Sequence, residues 1–377
     1  MRNLCKDYEI ERLYEHHYLP LINKKMKTKE IIRNHVTSGK IPGISVGLIK
    51  NSNIEFFNYG VMERDSDFVP NENTVYEIAS VSKTFTSILL AILQKERLLD
   101  KDDSISKYVP ELAKIPGLEK ITLYHLATHT SGLPNLPTKL IIYNFLALLR
   151  PSIAYHELSQ FTKSDLIRFF SKSKLKTEPG TEWHYSNGTV GLLGHIFERV
   201  TNSSYEDLVK SKICGALGMK DTGINLLESH KNQMASGHSY FGKKIHHWAA
   251  PAIEAAAGLY STTSNLIKFL EANLGLIDTR ISPELQYCHS TRFVPKLSYF
   301  MKNMMMPYLG VEFDEMALGW WVLKRNNREI LFHDGGTAGF SSFIGIEPAK
   351  NSGVVILTNK LSRLTHKLGM KLLKENF

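Results

Sequence analysis

Apolar residues recur at Val81, Phe85, Ile88, Leu89, Ile92 and Leu93, in steps of three and four, which is one stripe of an α-helix that reads as buried. The opposite face carries Ser80, Lys83, Thr84 and Ser87, so Ser80 and Lys83 stand about one turn apart at the helix start. Elsewhere the period changes. Residues 43–62, "GISVGLIKNSNIEFFNYGVM", read as two strands joined by a Lys-Asn-Ser-Asn turn, a hairpin signal. "MALGWWVLKRNNREILFH" (316–333) and "SSFIGIEPAKNSGVVILTN" (341–359) each read as strand, turn and strand, and "RLTHKLGMKLLKENF" closes the chain as an amphipathic helix. Between the strand-rich ends, from Ser80 to about residue 275, the pattern is mostly helical.

Hairpins imply antiparallel pairing. Strands at both ends with helices between predict an α/β (α+β) fold: one antiparallel sheet built from N- and C-terminal strands, flanked by helices, with a mostly helical lobe inserted. The expected organisation is an N-terminal segment over 1–28 and a single catalytic domain over 29–377. Its sheet part covers about 40–79 and 276–377, and its lobe about 80–275. A pocket is expected at the seam between them. Two stretches look unlike simple core. "LIIYNFLALL" (140–149) is apolar on all sides, and "FMKNMMMPYLGVEF" (300–313) carries Met301, Met304, Met305 and Met306. Either they are ordinary packing or they form a flexible apolar wall over a site, since methionine adapts to irregular ligands.

Composition narrows the classes. A chain of 377 residues with 43% hydrophobic content can bury a large core. The net charge of +9 is scattered, and the densest run, "NKKMKTKE", has no interleaved aromatics, so it reads as solvated surface rather than a nucleic-acid face. Cys5, Cys214 and Cys288 lack metal-type spacing and cannot all pair, which suits a reducing compartment. The first twenty residues lack the apolar core of a signal peptide, and nowhere do eighteen apolar residues run together. The expectation is a soluble, cytoplasmic protein without a membrane span, metal or cofactor, acting on a small molecule or peptide; the pattern does not address its oligomeric state.

The candidate chemistry begins at Ser80. The first backbone N–H groups of a helix have no intrahelical partner, so a serine there offers a hydroxyl and a free N–H inside the positive end of the helix dipole. Those are the parts for attack on a carbonyl and for holding the resulting oxyanion. S-x-x-K alone is a weak signal: Ser171–Lys174 and Ser173–Lys176 repeat it in the charged stretch "SKSKLKTEPG", which has no apolar stripe and reads as surface. Two other stretches complete a set. Tyr185-Ser186-Asn187 sits in a turn before an apolar helix and is the sole Y-x-N in the chain. His333-Asp334-Gly335, followed by Gly336, ends a strand with glycines that let its edge approach a ligand closely. "GHSYFGKK" (237–244) has P-loop spacing, but lysine stands where Ser or Thr must bind magnesium. The G-x-S-x-G pattern occurs once, at Gly43-Ile44-Ser45-Val46-Gly47, but within a strand of the first hairpin rather than at a strand-to-helix elbow, and "YHELSQF" and "IHHWAA" lack the spacing of a zinc site. His184 either lines the pocket or is exposed.

The three motifs, in this order, resemble those of the serine β-lactamase and penicillin-binding-protein superfamily, especially its class C branch with esterase, D-aminopeptidase and acyltransferase relatives. "ITLYHLATHTSGLP" (121–134), "LGMKDTGI" (217–224) and "AAAGLYSTTSNLIKFL" (255–270) support the likeness, which runs from about residue 30 to 358. The resemblance implies that Ser80 is the acyl-accepting nucleophile, Lys83 its general-base partner and Tyr185 the proton shuttle, with either Lys83 or Tyr185 as base in acylation. Asn187 would orient Lys83 or bind substrate, and the N–H groups of Ser80 and Gly336 would form the oxyanion hole. His333 and Gly335 would line the substrate. His333 departs from the pattern, because β-lactamases and D-Ala-D-Ala carboxypeptidases of the superfamily usually carry lysine there to help hold a carboxylate. Histidine, with a pKa near ~6.5, is mostly neutral at pH 7, and Asp334 beside it repels an anion. The expected activity is a serine hydrolase cleaving an amide or ester of a small peptide or acyl substrate. An acyltransferase or esterase handling an apolar acyl group, and a non-catalytic sensor, are the alternatives.

Overall fold

A computed structural model describes residues 19–375 apart from residue 65 and residues 147–150, 226–227, 240, 248, 298–301, 304–305 and 307–310. Its frame is an eight-stranded antiparallel sheet. The strands are β1 (Gly43–Lys50), β2 (Asn53–Gly60), β3 (Arg292–Phe293), β4 (Glu315–Ala317), β5 (Trp320–Arg325), β6 (Arg328–Gly336), β7 (Ser341–Glu347) and β8 (Ser352–Thr358). They run in the order β2-β1-β8-β7-β6-β5-β4-β3, so the first strand of the chain lies against the last, with Ile44 opposite Thr358 and Lys50 opposite Ser352. The sheet drawn from both ends of the chain is therefore present. Two hairpins turn on paired residues with positive φ, Asn51 and Ser52 (48° and 65°) and Asn326 and Asn327 (49° and 60°). That backbone matches the right-handed twist of the flanking strands, and asparagine tolerates it better than most residues.

Helices cover both faces of the sheet. Strand alternation sends Val354 and Ile356 to one side and Val355 and Leu357 to the other. The first side packs against Ile32 of α1 (Leu19–Thr37) and Leu368, Leu372 and Leu373 of α5 (Leu364–Glu375). The second packs against α4 (Thr263–Leu274), through Leu266, Ile267 and Leu270, and merges with the core of the helical region. At the centre of that region stand α2 (Ser82–Lys95) and α3 (Asn187–Thr201).

Residues Ser82 to Leu93 of α2 are buried on every side, so the face holding Lys83, Thr84 and Ser87 does not meet solvent. Its hydroxyls bond to carbonyls instead: Ser82 Oγ donates to Ala79 O (2.7 Å), Thr84 Oγ1 to Val81 O (2.8 Å) and Thr86 Oγ1 to Ala255 O (2.6 Å). A buried hydroxyl satisfied in this way no longer carries the cost of lost hydration. Ser80 lies just ahead of the α-helix, in a 3-10 turn over Ala79–Val81.

Of the two unusual stretches, Leu140 is buried while Ile141 and Ile142 are about half exposed, and Met306 joins the core around Trp183 and Trp321. The side chains of 143–149 and of Met301, Met304 and Met305 lie outside the described residues. Cys214 and Cys288 are buried free thiols, and Cys5 lies outside the described residues. No helix among the described residues is long and apolar enough to cross a membrane.

Candidate active site

The turn that presents Ser80 is held on both sides. Ala79 has φ +47°, a left-handed conformation costing a non-glycine residue on the order of 1–2 kcal/mol. Surrounding bonds fix it there. Ile78 N–H donates to Leu259 O (3.0 Å), Ser342 Oγ donates to Ile78 O (2.7 Å), and Ser82 Oγ grips Ala79 O. Strand β6 presses on the same turn. A Cβ at Gly335 would sit 2.8 Å from Ser80 N and 2.5 Å from Ile78 O, so nothing larger than glycine fits.

Two side chains meet at Ser80 Oγ. Lys83 Nζ lies 3.1 Å from it and Tyr185 OH lies 2.9 Å from it. Lys83 Nζ also donates to Asn187 Oδ1 (2.8 Å) and to Ala256 O (2.9 Å). Burial, with only partial compensation from the charge of Asp334, holds the Lys83 amine well below the usual lysine range. Burial pushes the Tyr185 phenol upward, opposed by its bond to Ser80. The lysine is thus biased toward a neutral amine and the tyrosine toward a protonated phenol. A neutral amine has two hydrogens and one lone pair. With Asn187 and Ala256 taking the hydrogens, the lone pair is left for the Ser80 hydroxyl.

Tyr185 is positioned by a histidine that the sequence reading assigned no role. His129, at φ +60°, accepts from His184 N–H through its carbonyl (2.8 Å) and from Ser186 N–H through Nδ1 (3.3 Å). It therefore grips the backbone on both sides of Tyr185, and its ring lies 4.6 Å from the tyrosine ring. Burial, then the neighbouring Lys83 and His333, hold His129 neutral. Asn135 adds a second clamp, its Oδ1 accepting from Asn187 N–H (2.7 Å) at the start of α3, while Ser186 caps that helix by accepting from Thr189 N–H (3.1 Å). His129 and Asn135 stand fifty or more positions from what they hold, so no local spacing could reveal them. The loop "THTSGLPN" offered the residue types without the contact.

On β6 the alternation divides the third motif. His333 faces the site with its ring 6.0 Å from Trp321, and its Nδ1 donates to Asp334 O (2.7 Å). Burial, reinforced by Lys83, pushes its pKa down to about 4, so it is neutral at pH 7. Asp334 turns to the other face of the sheet, where its Oδ2 lies 3.5 Å from His366 Nδ1 of α5. Its carboxyl is held below the usual range against the cost of burial, chiefly by His366 and then by His333. The sequence expectation that Asp334 stands beside His333 is corrected by the pleat: its charge acts from behind the strand. Gly336 ends β6 and is exposed. His184 is half-buried and lies 3.1 Å from Glu182 Oε2. The "GHSYFGKK" stretch forms a small hairpin, Gly237–His238 with Lys244–Ile245. Among the described residues no three His, Cys, Asp or Glu side chains converge as a metal-ligand set.

Ser80, Lys83, Tyr185, Asn187, His333 and Gly335 thus converge from α2 and the turn before it, α3 and the segment before it, and β6. The profile of the family described as Beta-lactamase matches residues 28–373. A β-lactamase of Pseudomonas fluorescens is 28% identical over 85% of this chain and 89% of its own length. Protein flp of Staphylococcus aureus is 27% identical over 92% of this chain, which spans 65% of flp's length. Among solved structures, a β-lactamase/D-alanine carboxypeptidase of Pseudomonas syringae superposes with a TM-score of 0.77 at 23% identity, over 93% of this chain and 99% of that one. A class C β-lactamase gives 0.76 at 24% identity, over 95% and 98%. The fold is that of a serine β-lactamase or penicillin-binding protein, and the chain belongs to the β-lactamase family.

Proposed function

We propose that this protein is a serine hydrolase working through an acyl-enzyme on Ser80, with neutral esters or amides of small acyl or peptide substrates favoured over β-lactams. One observation carries the reading: Ser80 Oγ is contacted at once by a desolvated amine and by a phenol whose proton is retained. In this mechanism the Ser80 proton passes to the Lys83 lone pair as Oγ bonds to the substrate carbonyl carbon. The oxyanion takes the N–H groups of Ser80 and Gly336. As the tetrahedral adduct collapses, the leaving group accepts the Tyr185 proton, and the tyrosinate regains one from the Lys83 ammonium. Water, or another acceptor, then attacks the acyl group by the same path in reverse. Lys83 is the base and Tyr185 the acid of acylation, because burial acts on the two groups in opposite directions.

The substrate preference rests on charge. Relatives are named β-lactamases, and β-lactams carry a carboxylate that needs a cationic partner. Here His333 is neutral, with a pKa held at about 4, and Asp334 behind it is negative. A fluorophosphonate probe should label wild type and not Ser80→Ala; a sensor without catalysis need not be labelled. Turnover of a short p-nitrophenyl ester should exceed that of nitrocefin. The opposite order would overturn the preference while leaving the acyl-enzyme intact.

A further inference from the structure

Lys83 gives one hydrogen to Ala256 O, a backbone acceptor whose place depends on what holds its segment. That segment, residues 252–256, runs between α2 and α3 and is bonded from both. From α3, the His195 ring nitrogen Nε2 donates to Ala252 O (2.9 Å). The helix presses close there, since a Cβ at Gly194 would lie 2.4 Å from Ala255 Cβ and one at Gly191 2.5 Å from Ala252 O. From α2, Thr86 stands one turn beyond Lys83 and takes the neighbouring carbonyl, Ala255 O (2.6 Å). Thr86 has a single hydroxyl hydrogen, and the two carbonyls it meets, Ala255 O and Ser82 O (3.2 Å), can only accept. The Tyr205 hydroxyl, 2.8 Å from Thr86 Oγ1, is therefore the donor of that pair. Burial pushes the Tyr205 phenol upward, which keeps its proton in place. Tyr205 is anchored in turn: its N–H donates to Glu198 Oε1 (2.9 Å), and Glu198 is paired with Lys163 (2.6 Å).

We propose that Thr86 and Tyr205 are positioning residues for the Lys83 amine: the bonds from Tyr205 through Thr86 to Ala255 O fix the next carbonyl, Ala256 O, and so aim the Lys83 lone pair at Ser80. This rests on the proposed role of Lys83 as base. The lone pair of a neutral amine points where its two hydrogens leave it, and here they go to Asn187 Oδ1 and Ala256 O. Asn187 is clamped by Asn135 at the start of α3. Ala256 lies in a four-residue helical turn, Glu254–Ala257, too short to hold its own shape. Without the Thr86 bond Ala256 O drifts, and the amine is aimed less well. The ammonium form, whose bonds are charge-assisted, then loses more than the neutral form. The acid limb of acylation should therefore move to lower pH as the plateau falls. The other groups acting on Lys83 are Tyr185, Asp334, His129 and His333, and Glu254, pushed up to about 7 by burial, titrates within the segment. Changes at Thr86 and Tyr205 alter none of these, so a difference between variants reports on Ala256 O.

The test is fluorophosphonate labelling of Ser80 across pH in the full chain, with a urea midpoint measured for each variant. Thr86→Val, which keeps the branched shape and removes the hydroxyl, should slow labelling at the plateau by about tenfold. Tyr205→Phe should slow it by about threefold. Both should move the acid limb down by about half a pH unit. Thr86→Ser keeps the hydroxyl and should regain most of the rate lost in Thr86→Val. Added to Thr86→Val, Tyr205→Phe should slow labelling no further, because it acts through the hydroxyl already removed. It should also recover some stability, since no buried phenol is then left unpaired. A limb that stays in place, or two rate losses that multiply, would make the part of these residues purely structural and overturn the proposal. So would labelling at the wild-type rate in Thr86→Val. Should Thr86→Val fail to fold, Tyr205→Phe decides by the same limb. A wild type that the probe does not label would overturn the proposed function and this inference with it, so the two failures are told apart by the wild type alone.

Discussion

The proposed division of labour between Lys83 and Tyr185 follows from one environment acting on two charge types. Desolvation penalises the charged form, which is the protonated form of an amine and the deprotonated form of a phenol. Acylation should therefore fade as pH falls through the lowered Lys83 value, because the amine then holds its proton and has no lone pair for Ser80. Lys83→Ala should reduce acylation by about ~10²-fold or more and remove that acidic limb. Tyr185→Phe should cost a similar factor but keep the limb where it is. Pre-steady-state labelling by a fluorophosphonate across pH reads both. A limb that survives in Lys83→Ala and disappears in Tyr185→Phe would reverse the assignment. At this scale the sequence was informative where partners are neighbours along a helix or share a short motif. Ser80 with Lys83, and Tyr185 with Asn187, are such pairs. Ala256 O, His129 and Asn135 are contributions made by backbone or by distant loops, and a composition pattern has no term for them.

At the scale of an element, the turn before α2 makes a test with an unusual sign. Replacing alanine by glycine ordinarily loosens the unfolded chain and destabilises by about 0.5–1 kcal/mol. Ala79 already bears a left-handed penalty of about 1–2 kcal/mol that glycine would not. Ala79→Gly should thus leave stability unchanged or raise it by up to about 1 kcal/mol, measured by urea denaturation. A loss larger than about 1 kcal/mol would show that the turn is not strained. The hairpins were legible because asparagine-rich turns between alternating strands advertise their geometry. The acceptors of the α2 hydroxyls were not, since a hydroxyl reads as polar until its acceptor is known. Thr86 illustrates this, its Oγ1 meeting both Ala255 O and the Tyr205 hydroxyl (2.8 Å).

The whole molecule carries several buried or half-buried histidines biased toward the neutral form. His289 and His333 are both held at about 4, and His125, His129 and His238 are also lowered, in each case chiefly by burial. Below the unfolded value near ~6.5 the unfolded chain takes up protons that the folded chain refuses. Stability should therefore decline as pH falls from about 6.5 toward 4, by up to about 1.4 kcal/mol per pH unit for each such group. Glu254, pushed up to about 7 by burial, works in the opposite direction between about 4.3 and 7 and offsets one of them. Urea midpoints at pH 7 and pH 5 should show the decline, and His333→Gln should make it shallower. A pH-independent midpoint would mean that these histidines are solvated. The pairing of β1 with β8 has a different consequence, in time rather than in energy. Ile44 waits for Thr358, the far end of the register, before the hairpin that it begins has its inner neighbour. Contacts so distant along the chain fold slowly. On the ribosome, the turn bearing Ser80 is made long before Ser342, whose hydroxyl fixes the residue ahead of it, so the nascent chain should remain unreactive toward an acylating probe until almost the last strand has emerged.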